Sequence, residues 1–292
     1  MKKRLLTSIL IAAGLLVVAI VGYLTLFIPA EFKAQANPAP ACQSAAFDKS
    51  ALVFDTVLIC GTSAVPADKL THAANVTAEW LDNDEDGEVD EPRLLETLKA
   101  SKPVLIMSGN GVPAAAMPRI MSALSGYQLQ DLGAAETKPA NGLRDASQEE
   151  IHHLLINAGW QKLFPAVFSE TASDNSTLYQ AWKFANDNGH YAYDDPTCDD
   201  SCKVTEFVYL ATAAYLGSEA DLFSDEMRLK TRAALNESIP AVLQIFESSD
   251  YVYPTNHWPD GTYPHKNNIT FFEKNKSSHT PHSKSVSAVA VI

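Results

Sequence analysis

The chain has no G-x-S-x-G elbow, no P-loop and no glycine-rich dinucleotide fingerprint. Serine-hydrolase and nucleotide-binding readings are therefore without support. Positive charge is scarce: 22 Lys and Arg stand against 35 Asp and Glu in 292 residues, a formal net charge of −13. The one dense basic cluster, Lys2-Lys3-Arg4, lies at the N-terminus. A phosphate backbone would meet net repulsion from the rest, which argues against nucleic acid as a partner. No internal repeat is visible, and an E-x-x-H spacing lacks the second copy that a di-iron bundle requires. What is present, at 46% hydrophobic and 20% charged, is enough apolar material for a core, so disorder over the whole length is excluded.

Residues 5–28 form an apolar run without a charge, long enough to span a bilayer core, which needs roughly 20 helical residues. The preceding basic residues place the N-terminus in the cytoplasm and send everything after Pro29 outward. Ala34-Gln35-Ala36 has the small-x-small form of a cleavage site. The run thus reads as a membrane anchor or as a cleaved signal, and either exports the body to the periplasm or cell surface. Four cysteines allow three pairings; proximity favours Cys42 with Cys60 and Cys198 with Cys202. C-x-x-x-C can also hold a metal, but an oxidising exterior favours disulfides.

The expected organisation is a signal-anchor over 1–30, an Ala/Pro-rich linker over 31–46, a globular domain over 47–273 and a mobile Ser/His/Lys-rich tail over 274–292. Within the domain, 47–140 reads as an α/β part, with strands at 54–59, 104–108 and 126–132 and helices at 64–81, 91–100 and 113–124. The part over 141–273 reads as helical, at 147–158, 175–187, 203–217 and 225–248, followed by an aromatic, turn-rich loop over 250–263. The fold class expected is therefore α+β and predominantly helical. A small strand-containing N-terminal part packs on a helical C-terminal part, and one transmembrane helix precedes both.

Asp82-Asn83-Asp84-Glu85-Asp86-Gly87-Glu88-Val89-Asp90 is the sharpest local pattern. Calcium takes six to eight hard oxygens, and alternate aspartates on a tight loop aim carboxylates at one centre. Asp82, Asp84 and Asp86 match positions 1, 3 and 5 of an EF-hand loop, Gly87 the turn, Glu88 a backbone-carbonyl ligand and Asp90 position 9. Arg93 stands where the bidentate Glu belongs, which brings the loop closer to the D-x-D-x-D-G loops of extracellular calcium modules, such as those of thrombospondin. The alternative is a solvated acidic turn.

The second pattern is Ser147-Gln148-Glu149-Glu150-Ile151-His152-His153. Glu149 and His153, four apart, share a helical face, together with Ile156 and Trp160, while Ile151, Leu154, Leu155 and Ala158 form the opposite one. Both sides of this helix are expected to be covered, so the Glu–His pair needs a partner. Glu206, the only charge from 206 to 217, is the candidate; the alternative for it is an ion pair with Lys203. The five residues from Glu149 to His153 resemble the H-E-x-x-H helix of zincin metallopeptidases, with Glu149 in place of the first His. The resemblance implies zinc ligands at Glu149 and His153, a general base at Glu150 and, as in gluzincins, a later-helix Glu ligand at Glu206. His152 falls outside the motif as an outer donor or an exposed residue. His190 and Tyr193 stand before Cys198, where they line the same cleft or simply pack beside the disulfide. His257 reads as a turn residue, and His279 and His282 lie in the tail.

Taken together, LDNDEDGEVDEP, SQEEIHHLL and TCDDSCKVTEFVYLA resemble a group of exported bacterial and marine proteins in which these blocks occur in the same order; no activity carries over from it. The expectation is an exported, membrane-tethered, zinc-dependent hydrolase of zincin type with a structural calcium loop. It acts on a peptide or another small extracellular substrate. The alternative is a non-catalytic extracellular domain that binds calcium and contacts a partner. The alternative for the Glu149/His153/Glu206 set is a structural salt-bridge or hydrogen-bond network rather than a metal site.

Overall fold

The computed structural model describes residues 39–45, 47–140 and 143–273. A short helix α1 (Pro40–Ser44) leads into β1 (Lys49–Val53) and β2 (Val57–Gly61). A turn over Phe54–Thr56 joins these strands, and in it Phe54 and Asp55 adopt positive φ. The second strand therefore starts three residues later than its apolar run suggests. Helices α2 (Ala67–Leu81) and α3 (Pro92–Ser101) flank the acidic loop, and β3 (Pro103–Ser108), α4 (Met117–Ala123) and β4 (Gln128–Gly133) follow.

The remaining chain is helical up to its last strand: α5 (Ala146–Leu155), a π-helical turn over Ile156–Trp160, α6 (Gln161–Leu163), α7 (Pro165–Phe168), α8 (Thr177–Asp187), α9 (Asp200–Leu216), α10 (Arg232–Ser238), α11 (Pro240–Phe246) and β5 (Ile269–Glu273). The helix expected over 225–248 is thus two shorter ones. Pro240 opens the second because its ring and missing N–H cannot continue the first.

The five strands form one mixed sheet in the order β4-β3-β2-β1-β5. β2, β3 and β4 run parallel, and β1 is antiparallel to both its neighbours. Successive side chains alternate between faces. Ala51, Val53, Val57, Ile59, Leu105 and Met107 enter a large core shared with α2, α5, α9 and the later helices. Leu58, Cys60, Val104 and Ile106 enter a smaller core with Cys42, Phe47, Ile120 and Leu124.

Two expectations about the fold are corrected. The strand-containing part is not confined to the N-terminal half: β5 pairs with β1 from Lys49↔Glu273 to Val53↔Ile269. Ile269 and Phe271 supply the inward residues of a strand too short and polar-flanked to stand out in sequence. The expected transmembrane element is not supported either, since among the described residues no helix is long and apolar enough to cross a membrane. The run 5–28 and the tail 274–292 lie outside the described residues. Residues 39–45, read as linker, are fastened to the sheet through Cys42.

Both expected cysteine pairs form, Cys42–Cys60 and Cys198–Cys202, which is compatible with an oxidising, extracellular location. The π turn places Gly159 against α3, where an added Cβ would lie 2.5 Å from Leu94 Cδ1 and 3.0 Å from Leu98 Cδ2. Both leucines are buried. Gly159→Ala is expected to destabilise the fold by about 1–3 kcal/mol through overpacking, measured as a lower urea midpoint at unchanged slope.

Candidate metal centre

α5 starts at Asp145, whose side chain accepts from Ser147 N (3.1 Å) and Ser147 Oγ (2.6 Å). His72 on α2 holds the same carboxylate through Nε2 at 2.5 Å. Trp80 Nε1 donates to Gln148 O (3.0 Å), and Gln148 Nε2 donates to Pro259 O (2.5 Å). The first turn of α5 is thereby fixed from two sides. One side of the helix packs on β4, and α9 crosses it nearby. α9 is capped by Asp199, which accepts from Cys202 N at 3.0 Å, and its start is closed by the Cys198–Cys202 disulfide. Glu206 sits one turn further on.

Glu149, His153 and Glu206 converge: each offers a ligand atom, and these atoms all lie within 4.8 Å of one another. All three residues are buried. His153 Nε2 is 3.6 Å from Glu206 Oε2, and neither atom has a hydrogen-bond partner. Lys203 does not neutralise Glu206; its ion pair is with Asp200, at 3.9 Å. Burial pushes His153 down to about 3, assisted by the charge of Arg144, so its imidazole is neutral. Burial pushes Glu206 up to about 9, reinforced by Glu149, with which it shares a hydrogen bond. Glu149 is also raised by burial, although Arg144 pulls it the other way. Two carboxyls at this separation hold a proton between them unless a cation takes its place.

Glu150 lies at the rim, its side chain 25% exposed. Its Oε2 accepts from Gln130 Nε2 on β4 and stands 3.8 Å from His153 Nδ1. It therefore faces the ring nitrogen opposite the one that points at Glu206. Burial, then the neighbouring Glu149, pushes Glu150 up to about 8. His152 is directed away, into the core: Nε2 meets Tyr253 OH at 2.8 Å and the ring packs on Trp80 and Tyr209. Tyr193 is half-buried, and burial, then the charges of Glu206 and Glu149, hold its phenol up. His190 packs its ring on Phe184, with centroids 6.3 Å apart.

Three members of this neighbourhood carry no sequence signal. Arg144 pairs through Nη2 with Glu149 Oε1, and its Nε lies 3.5 Å from Asp221 Oδ1. Asp221 is buried and accepts from Tyr209 OH (2.6 Å) and Ser218 Oγ (2.5 Å). Arg144 and Asp221 come from loops, and Gln130 from an edge strand, so no helical period links them to Glu149.

In the acidic loop, Asp82, Asp84 and Asp86 likewise bring carboxylate oxygens within 4.8 Å of one another. Backbone N–H groups point inward: Asp86 N donates to Asp82 Oδ1 (3.1 Å) and Asp84 Oδ1 (3.2 Å), and Gly87 N to Asp82 Oδ2 (2.9 Å). Glu88 is exposed and donates its N–H to Asp86 Oδ1 at 2.8 Å. Asp90 turns to Asn83 N (3.0 Å) and is pushed up to about 6 by burial and the neighbouring aspartates. Arg93 is engaged outside the loop, by both oxygens of Glu91 at 2.7 Å. His257 Nε2 lies 3.7 Å from Glu85 Oε1, and Tyr263 OH donates to Asp82 Oδ2 at 2.5 Å.

Comparison with protein-family models, with curated proteins and with solved structures finds no match for this chain.

Below the loop, Glu79 is fully buried and accepts from Gly261 N (2.8 Å) and Thr262 N (2.6 Å). Burial outweighs these two donors and pushes it from 4.5 up to about 8. A carboxyl whose pKa is higher in the folded state contributes stability at low pH and loses it as pH rises from its unfolded value through about 8. The melting temperature of Glu79→Gln relative to wild type is expected to climb between pH 5 and pH 9. A difference that stays constant over this range would show that Glu79 does not titrate with folding.

Proposed function

We propose that the chain is an exported, metal-dependent hydrolase with zinc held by Glu149, His153 and Glu206, an arrangement that resembles the zincins. The observation that carries the reading is the unpartnered Nε2 of a buried, neutral His153, 3.6 Å from the equally unpartnered Glu206 Oε2, with a Glu149 oxygen within 4.8 Å of the set. Neutral imidazole and carboxylate are both zinc ligands, and three protein donors leave a fourth position for water or substrate. Bound there, the ion supplies Lewis acidity and lowers the pKa of an attached water. Glu150 is assigned the proton, because it is the open carboxylate of the set and is not needed as a donor. Its carboxylate also lies 3.8 Å from His153 Nδ1, on the side of the ring away from Glu206.

Calcium belongs to the Asp82–Asp86 loop in this reading and has a structural role, joining α2 to α3. Support comes from the repulsion among three clustered carboxylates, which a divalent cation relieves. A second reading, a calcium-binding domain without catalysis, is favoured by one observation: Arg144 already neutralises Glu149.

Metal analysis separates the two. After zinc exposure and desalting, wild type is expected to retain close to one zinc per chain and His153→Ala none; zinc at background in both leaves only the second reading. Glu150→Gln is expected to retain zinc and lose zinc-dependent hydrolysis of a p-nitrophenyl ester. Unchanged turnover would remove Glu150 from the reaction. Calcium is expected to raise the melting temperature by about 3–5 °C at tenfold saturation. Asp84→Ala should abolish the shift, and a shift that survives this change would make the loop a solvated turn.

A further inference from the structure

β4 is the outermost strand on one margin of the sheet. Gln128 N donates to Lys102 O at 3.1 Å and Ala134 N to Ser108 O at 2.7 Å, so the even-numbered positions turn their backbone groups toward β3. Alternation turns those of Leu129, Asp131 and Gly133 outward. Gly133 N is taken by the nearby Glu136 carboxylate, to which it donates at 2.9 Å. Among the described residues nothing pairs with the backbone N–H and C=O groups of Leu129 and Asp131.

The same two residues border a cavity of about 220 Å³, lined by Ile106, Met117, Met121, Leu129, Gln130 and Asp131. Met117 and Met121 stand four apart on α4 and so share a face, and Met121 is 58% exposed. Methionine walls adapt to different apolar shapes. The volume is below the roughly 300–1,000 Å³ of small-molecule sites and suits a single apolar side chain. Free backbone groups beside a one-residue apolar pocket are what an added strand uses: main-chain bonds hold it, and the pocket selects a side chain.

The chain itself carries a segment of matching chemistry. Residues 274–292, outside the described residues, hold Lys274, Lys276 and Lys284 and no acid, in a chain whose net charge is −13. They include Ser285-Val286-Ser287-Ala288-Val289-Ala290-Val291-Ile292, rich in the β-branched residues that strands favour. Asp131 and Glu136, both exposed, stand toward and just beyond the carboxyl end of β4. β5 runs in the same direction as β4, so Glu273 leaves the sheet at that same end. The place beyond β4 is five strand spacings from β5, about 24 Å, and residues 274–284 reach about 36 Å when extended.

We propose that residues 285–292 add to the free edge of β4 as an antiparallel sixth strand, with one valine in the methionine-lined cavity and Lys284 near Asp131 and Glu136. The segment thereby closes an edge that otherwise offers a template to other chains.

The test reads amide hydrogen exchange by NMR in three proteins: the full-length chain, a chain ending at Glu273, and a full-length chain carrying Val286→Asp, Val289→Asp and Val291→Asp together. The Leu129 and Asp131 amides are expected to exchange at least about tenfold more slowly in wild type than in either variant. The Gln130 and Leu132 amides, which face β3, report that the variants keep the sheet. In wild type alone, a nuclear Overhauser contact between the Met121 methyl and a valine methyl of the 285–292 segment is also expected, a readout that needs no variant. Fast exchange at Leu129 and Asp131 in wild type overturns the proposal, as does absence of that contact or protection that persists in both variants. Protection that grows with protein concentration assigns the edge to a second copy, and protection gained along β5 instead assigns the segment there; either result overturns it as well.

Discussion

Removing a carboxylate from water costs several kcal/mol unless hydrogen bonds or an opposite charge replace the lost hydration, and this chain does so repeatedly around one helix layer. Each case is answered differently. Glu79 takes two backbone N–H groups from the 261–262 turn. Asp221 takes two hydroxyls and the flank of Arg144. Asp145 takes an imidazole, a hydroxyl and the start of α5. Glu206 receives only a second carboxyl and a neutral imidazole. That inequality, rather than the number of acidic residues, distinguishes the α5–α9 crossing from the rest of the interior.

The two acidic clusters are mechanically connected. α2 runs from the His72–Asp145 contact at the N-terminus of α5 to Asp82, the first residue of the acidic loop. The 257–265 segment spans the same distance on the outside, touching Asn83, Glu79, Asp82 and, through Pro259, Gln148. A cation that orders the loop therefore also braces the helix on which Glu149 and His153 stand.

Much of this was legible in the chain. The E-E-x-x-H spacing placed Glu149 and His153 on one face, and the lone charge of an apolar helix marked Glu206, because helical period and burial both leave traces in sequence. The aspartate loop and both cysteine pairs were legible for the same reason, being local in sequence. Arg144, Asp221 and Gln130 were not, since they reach the site from loops and an edge strand and owe their positions to tertiary packing. β1 and β5 were missed because β5 is an edge strand whose one partner, β1, lies more than 200 residues away in sequence, and β1 in turn sits between β2 and β5. Glu150 was read from the motif alone; its contacts with Gln130 and Nδ1 depend on where β4 lies, which no spacing within α5 encodes.

The pairing of β5 with β1 also settles where the described chain enters and leaves. Ala39 N donates to Ser50 Oγ at 3.0 Å, and Glu273 is the register partner of Lys49. The two ends are neighbours on one margin of the sheet, while Gln130 and the carboxylate it holds lie three strands away, roughly 14 Å at ordinary strand spacing. A short peptide bridging these ends would give a circular permutant, with new termini opened in a distant surface turn. Cargo or a solid support attached at this margin would stand three strands from Gln130 and Glu150.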